Sequence, residues 1–153
     1  MKKRVLLFLG IPVLLFSTAC SAQSKTADAI TTLSSPDAVV ENFYSEYLSY
    51  FEDPETGNFR DPLSARMYAN RSYFTQDLID DIDNVVASFS TGGAYDPILC
   101  AQDIPDYITF DTPYVSDGQI MFMIEDNFED HYFFVHLKQE SDGWKIDTIN
   151  CNF

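Results

Sequence analysis

Apolar residues between positions 36 and 89 recur every three or four positions, which predicts helices. The first helix is predicted over residues 36–51, because Ser35-Pro36 is a typical helix N-terminus and an apolar stripe follows it. A short second helix is predicted around Leu63 and Met67. Thr75 is expected to cap a third helix that ends near Phe89.

Beyond Gly93 the apolar positions alternate with a period of two, which is typical of strands. Four strands are predicted, over residues 107–110, 119–125, 131–139 and 144–150. Asp117-Gly118 and Asp142-Gly143 are typical hairpin turns between them. Helices followed by hairpin-connected strands predict an α+β domain, with N-terminal helices packed on an antiparallel sheet of about four strands.

The N-terminus has the pattern of an export signal. Lys2, Lys3 and Arg4 precede an apolar run over residues 5–16, which is too short to span a bilayer. The following Ser17-Thr18-Ala19-Cys20 resembles a bacterial lipobox, in which the cysteine receives a diacylglyceryl group and becomes the new N-terminus. This resemblance predicts lipidation of Cys20. The alternative is ordinary signal-peptide cleavage after Ala19 or Ala22.

Three segments are therefore predicted along the chain. Residues 1–19 form the signal peptide, residues 20–35 carry the lipidated Cys20 and a flexible tether rich in Ser, Thr and Ala, and residues 36–153 form one α+β domain. Ser21 follows the cysteine where some inner-membrane lipoproteins carry Asp. We therefore expect an exported protein, lipid-anchored in the bacterial envelope at the outer membrane and facing the periplasm.

The chain has three cysteines, an odd number for an exported protein. If Cys20 carries the lipid, Cys100 and Cys151 remain as a pair in an oxidising compartment, which predicts a disulfide. Closing a loop of about 50 residues stabilises a fold by about 4 kcal/mol in the chain-entropy model. The alternative is two buried free thiols.

The formal net charge of -15 restricts the partners. Binding to DNA or RNA needs clustered Lys and Arg, so a nucleic-acid partner is not expected. Attachment to an anionic membrane surface by charge is disfavoured as well, which leaves the lipid anchor as the membrane contact. Another envelope protein or a secreted protein is the predicted partner.

No catalytic motif is evident: the chain has no G-x-S-x-G, no S-x-x-K and no P-loop. His131 and His136 are predicted on opposite faces of one strand, so they cannot share a metal ion. Asp103 and Asp147 are open to a general acid–base role if buried. No catalytic residue, metal or cofactor is predicted.

Aromatic side chains are the candidates for recognition, because Tyr and Trp are favoured at protein interfaces. The predicted binding surface or pocket consists of Tyr44, Tyr47, Tyr68, Asp103 and Trp144. The alternative for the aromatic members is packing in the core.

Three stretches resemble known domains. Residues 36–48 are similar to the first helix of NTF2-like domains, and Asp142-Gly143-Trp144-Lys145-Ile146-Asp147 resembles their last strand. Residues 96–103, with the sequence Asp-Pro-Ile-Leu-Cys-Ala-Gln-Asp, resemble the bacterial lipoprotein family of domain of unknown function 3828 (YbjP-like). The resemblance implies an NTF2-like cone, a curved sheet around helices that sometimes encloses a pocket. It implies no reaction, because this fold hosts enzymes and non-enzymes.

Together these features predict a non-catalytic cell-envelope lipoprotein that binds another protein, either as an immunity or inhibitor protein or as an accessory of an envelope complex. One alternative is a small-ligand-binding domain that uses the cone cavity, which would need a deep apolar pocket. Another is a hydrolase or isomerase, which would need a buried acid–base pair in that pocket.

Overall fold

Two helices precede five strands in the computed structural model, which describes residues 35–89, 95–116 and 119–152. The predicted signal peptide, the lipidation site Cys20 and nearly all of the tether lie outside these residues. The α+β prediction is confirmed, because the helices pack against one antiparallel sheet. Within the described ranges, neither helix has the length and apolar character needed to cross a bilayer.

Helix α1, Pro36–Tyr50, begins as its sequence predicts. The Ser35 side chain accepts a hydrogen bond from the Ala38 N–H at 3.3 Å, and proline at the first position needs no such partner. The apolar stripe lies inward and buries Val39, Val40, Phe43, Tyr44 and Tyr47. The predicted helix over residues 36–51 is confirmed to within one residue.

Helix α2, Gln76–Ser88, is capped by Thr75 in the same way. The Thr75 hydroxyl accepts a hydrogen bond from the Leu78 N–H at 3.4 Å. Ile79 and Ile82 are buried, whereas Val86 and Phe89 lie at the edge of the core and are only half-buried.

The predicted short helix between α1 and α2 is a single 3-10 turn, Met67–Ala69. Arg66, the residue before the turn, has φ 53 and lies in the left-handed region that L-residues rarely adopt. This conformation interrupts any helix that started near Leu63.

Among the described residues the sheet has five antiparallel strands, one more than predicted. They are β1 Ile108–Phe110, β2 Tyr114–Ser116, β3 Gln119–Asp126, β4 Tyr132–Glu140 and β5 Gly143–Cys151. The order is β1-β3-β4-β5, and β2 pairs with the first residues of β3. Since β4 takes one edge of β3, the short strands β1 and β2 share its other edge. The sequence did not reveal β2 because it has three residues and no buried face.

One face of the sheet forms the core together with the helices. The alternating residues Phe122, Ile124, Phe133, Val135 and Leu137 are at most 1% exposed. Aromatic side chains of α1 pack on this face, and the Phe43 ring meets the Phe74 ring edge-on with centroids 4.5 Å apart. The space between helices and sheet is thus filled by side chains.

Two long-range links fasten the irregular segments to the sheet. The predicted disulfide between Cys100 and Cys151 is confirmed, and it joins the segment before β1 to the end of β5 across 51 residues. Phe74 forms a parallel bridge with Ile146, through hydrogen bonds from Thr75 N–H to the Ile146 carbonyl and from Ile146 N–H to the Tyr73 carbonyl. These links determine where the segments that follow α1 and α2 lie.

Candidate functional site

An open groove of about 510 Å³ lies between the C-terminal ends of the two helices and the segments that follow them. One wall comes from the loop after α1 and the other from the end of α2 and residues 95–104. The groove is lined by Phe51, Phe59, Asp61, Leu63, Ser64, Val86, Phe89, Tyr95, Asp96, Leu99, Gln102, Asp103 and Ile104.

Most of the groove wall is apolar, and part of it projects into solvent. Phe59 is 68% exposed and Ile104 is 43% exposed, which is unusual for large apolar side chains. Phe59 rests against Phe51 with ring centroids 6.0 Å apart. Exposed apolar residues that line one concavity are typical of binding surfaces.

Asp96 is a largely buried carboxylate in this groove. One oxygen accepts hydrogen bonds from the N–H groups of Ile98 at 2.7 Å and Leu99 at 3.1 Å. The other accepts a hydrogen bond from the Tyr47 hydroxyl at 2.7 Å. Burial and the nearby Asp61 carboxylate raise the pKa of Asp96 above its ordinary value, although these three hydrogen bonds oppose the shift.

Two further carboxylates line the groove. Asp61 is the first residue of a turn, and its carboxylate accepts hydrogen bonds from the Leu63 N–H and the Ser64 hydroxyl. Asp103 is exposed on the wall formed by residues 95–104. The groove therefore combines apolar walls with three acidic side chains.

No Lys or Arg of the described residues lines the groove. Four of the five Lys and Arg side chains in the described residues form ion pairs elsewhere, as Arg60–Asp53, Arg66–Asp83, Lys138–Asp147 and Lys145–Asp142, and the fifth is Arg71. The negative charge of the groove is therefore not balanced by these cations.

Comparisons with known proteins show a fold rather than a family. No family model matches the chain, and no curated protein matches it significantly. Its fold resembles that of the immunity protein Tai3. The match comes from the crystal structure of the native type VI effector–immunity complex Tae3-Tai3 from Ralstonia pickettii, with a TM-score of 0.54 and 20% identity over 78% of this chain and 96% of that chain.

The selenomethionine form of the Ralstonia complex gives the same result. Its TM-score is 0.51 at 19% identity, over 78% of this chain and 97% of that chain. At such identities the likeness to Tai3 shows the fold alone. Membership of the family of domain of unknown function 3828 stays a prediction.

The aromatic residues predicted for recognition lie mostly in the core. The Tyr44 hydroxyl donates to the Ile98 carbonyl at 3.2 Å, and the Tyr68 hydroxyl donates to Asp83 at 2.6 Å. Tyr44, Tyr47 and Tyr68 are at most 1% exposed, so none of them presents an aromatic surface to solvent. Burial is favourable because each hydroxyl reaches an acceptor.

Asp103 is the one predicted recognition residue that lines the groove, while Trp144 packs half-buried against the core. Tyr47 reaches the groove indirectly, through its hydrogen bond to Asp96. Phe59, Asp61 and Asp96 were not predicted as site residues. The available signals were a Phe in a polar loop and two Asp-Pro steps, which are too common to single out a site.

The remaining candidates for chemistry have structural partners. His131 is held at both ring nitrogens, by Asp126 at 2.6 Å and by the Cys100 carbonyl at 3.0 Å. Asp147 is half-buried and pairs with Lys138 at 3.9 Å. No cluster of three or more metal-ligating side chains occurs among residues 35–89, 95–116 and 119–152.

Proposed function

We propose that this chain is a non-catalytic protein-binding module that acts as an immunity-type inhibitor of a secreted effector protein. The observation that carries this function is the likeness of its fold to a chain crystallised in a type VI effector–immunity complex, over 96% of that chain. The open groove, with its exposed apolar side chains, supplies a surface to which another protein could bind.

The geometry favours a protein partner over a small ligand. Small-molecule sites bury about 70–90% of their ligand, which needs a deep cavity. In this fold the space between helices and sheet is occupied by Phe43, Tyr44, Tyr47 and Phe74. The groove is open instead, and its exposed Phe59 and Ile104 suit a projecting segment of another protein.

The candidate acid–base groups already form hydrogen bonds within the protein, which supports a non-catalytic role. Both oxygens of Asp96 accept hydrogen bonds, and both ring nitrogens of His131 contact acceptors. A general base must lie within hydrogen-bond distance of the substrate proton that it removes, and these internal hydrogen bonds compete with such a contact. The groups instead fix the segments around the groove.

The predicted location suits the same role. A disulfide between Cys100 and Cys151 is consistent with export to an oxidising compartment. Lipidation of Cys20 would hold the module at the membrane facing the periplasm, and residues 21–35 would give it reach. An effector that enters the periplasm would then be in the same compartment as its inhibitor.

A competition experiment in the bacterium that encodes the chain tests this function. A strain lacking the gene is grown against the parent strain and against a parent with inactive type VI secretion. We expect the deletion strain to be lost only against the secreting parent, and the wild-type gene to restore survival. Equal survival of the deletion strain against both parents would refute an immunity role.

A further inference from the structure

We propose that the groove receives a basic side chain, arginine or lysine, carried on an apolar loop of the partner protein. This inference rests on the proposed function and names the chemistry of the partner. Asp61, Asp96 and Asp103 would meet the cation, while Phe59 and Ile104 would contact the apolar residues beside it.

Charge is the first reason. A buried carboxylate without a cation is unfavourable, and a charged partner relieves that cost best when water is excluded around it. Asp96 is largely buried, and none of the ion pairs formed by the described residues includes Asp61, Asp96 or Asp103. An occupant that carries a positive charge would supply the counter-charge that these three carboxylates lack. At a net charge of -15 the protein also attracts basic partners from a distance.

The apolar walls exclude a bare ion as the whole occupant. A groove of about 510 Å³ lined by Phe51, Phe59, Leu63, Leu99 and Ile104 would stay largely empty around a single cation. An arginine or lysine stem, together with apolar neighbours on its loop, covers such walls and places the charge at the carboxylates. Arg is enriched at interface centres for this reason.

The wall formed by residues 95–104 is held in place before any partner arrives. The Asp96 N–H donates to the Ala101 carbonyl at 2.7 Å, and the Tyr44 hydroxyl holds the Ile98 carbonyl. The disulfide at Cys100 ties this wall to β5.

The opposite wall, formed by the loop after α1, is also held by contacts of its own. The Arg60 N–H donates to the Phe51 carbonyl at 2.9 Å, and the Arg60 guanidinium stacks over the Tyr50 ring at 4.2 Å. Preformed walls lower the entropy cost of binding, which favours a specific site.

The first test uses a defined probe, the peptide acetyl-Leu-Arg-Leu-amide, followed by amide NMR spectra of the isotope-labelled mature chain. We expect the peptide to shift the amides of Phe59, Gln102 and Ile104, and the matched acetyl-Leu-Gln-Leu-amide to shift them far less. Equal effects of both peptides, or shifts confined to other surfaces, would overturn the inference. Groove shifts on Lys25→Gln without peptide would also overturn it, because the chain's own N-terminal segment would then be the occupant.

A pair of double variants provides the matched comparison. Phe59→Ala with Asp103→Asn removes one exposed aromatic ring and one charge from the groove. Tyr114→Ala with Glu129→Gln removes one exposed aromatic ring and one charge at positions outside the groove, and Tyr114 is 64% exposed against 68% for Phe59. We expect the groove variant to weaken binding of the arginine peptide about tenfold and the control variant to leave it unchanged. Equal weakening in both would overturn the inference.

The competition assay separates this inference from the proposed function. If the wild type and the control variant protect and the groove variant does not, both stand. If the groove variant protects as well as the wild type, the basic-side-chain site is refuted and the immunity role remains. If the wild type itself fails to protect, the immunity role is refuted, and the peptide titration alone decides the inference.

Discussion

Replacing Tyr47 with phenylalanine removes one hydroxyl from the core and one hydrogen bond from the groove. The hydroxyl donates to the Asp96 carboxylate at 2.7 Å, and the ring is 0% exposed. Phenylalanine keeps the ring packing against Phe43 and Phe51, so the change isolates the hydrogen bond. Burial and the Asp96 charge raise the pKa of Tyr47, which keeps the hydroxyl a donor at every pH of interest.

The expected loss follows from the charge on Asp96. A hydrogen bond to a charged group contributes about 1.5–3 kcal/mol to stability, and one between neutral groups contributes about 0.5–1.5 kcal/mol. Tyr47→Phe should therefore lower the unfolding free energy by about 2 kcal/mol at neutral pH. Because the pKa of Asp96 is raised, the loss should be smaller near pH 4 than at neutral pH, and it should approach about 1 kcal/mol as the carboxyl group becomes protonated.

Urea unfolding followed by tryptophan fluorescence, with wild type and variant at both pH values, measures this difference. The variant lacks a hydrogen bond that lowers the pKa of Asp96, so its folded state should take up a proton at higher pH than the wild type. A loss that is the same at both pH values, or larger near pH 4, would refute the assignment of Tyr47 as the donor to an ionised Asp96.

Four further outcomes are expected. The folded pKa of Asp96 is raised, so ionisation costs stability as the pH rises through it, and Asp96→Asn should gain stability relative to wild type from about pH 4 to pH 7 in urea unfolding. Cys100→Ser with Cys151→Ser should lower the unfolding free energy by about 4 kcal/mol for a 51-residue separation, and a loss below about 1 kcal/mol would contradict this. Phe122→Ala should cost about 3–5 kcal/mol because the ring is 0% exposed, measured by denaturant unfolding. The intact mass of the mature protein from membranes should show a lipid on Cys20, and an unmodified cysteine would exclude the anchor.

Helices and long strands were predictable because their signals are local. Ser35 and Thr75 are caps that act within three residues, and both accept the expected backbone hydrogen bond. The alternation in β3 and β4 likewise depends only on which face of a strand meets the core. Short elements carry too few residues for such patterns. For this reason β2 was not predicted, and a helix was predicted near Leu63 where the structure has only a 3-10 turn.

The groove was not predictable from the sequence because its parts come from distant positions. Asp96 meets Tyr47 across 49 residues, and the Ile98 carbonyl meets Tyr44 across 54. Helical spacing placed Tyr47 on the apolar face of the predicted first helix. It gave no information on whether that face met a partner protein or the segment around residue 98.

The core and the groove share a side chain, Tyr47, and this limits which groove residues can be replaced. Tyr47 packs in the core through its ring and holds a groove carboxylate through its hydroxyl. The orientation of Asp96 is therefore maintained by the core, whereas Phe59 and Asp103 are exposed, where substitutions usually change stability by less than about 0.5 kcal/mol. Substitutions at the exposed positions could then change the partner, while Asp96, for which we propose a contact with a basic side chain, keeps its position.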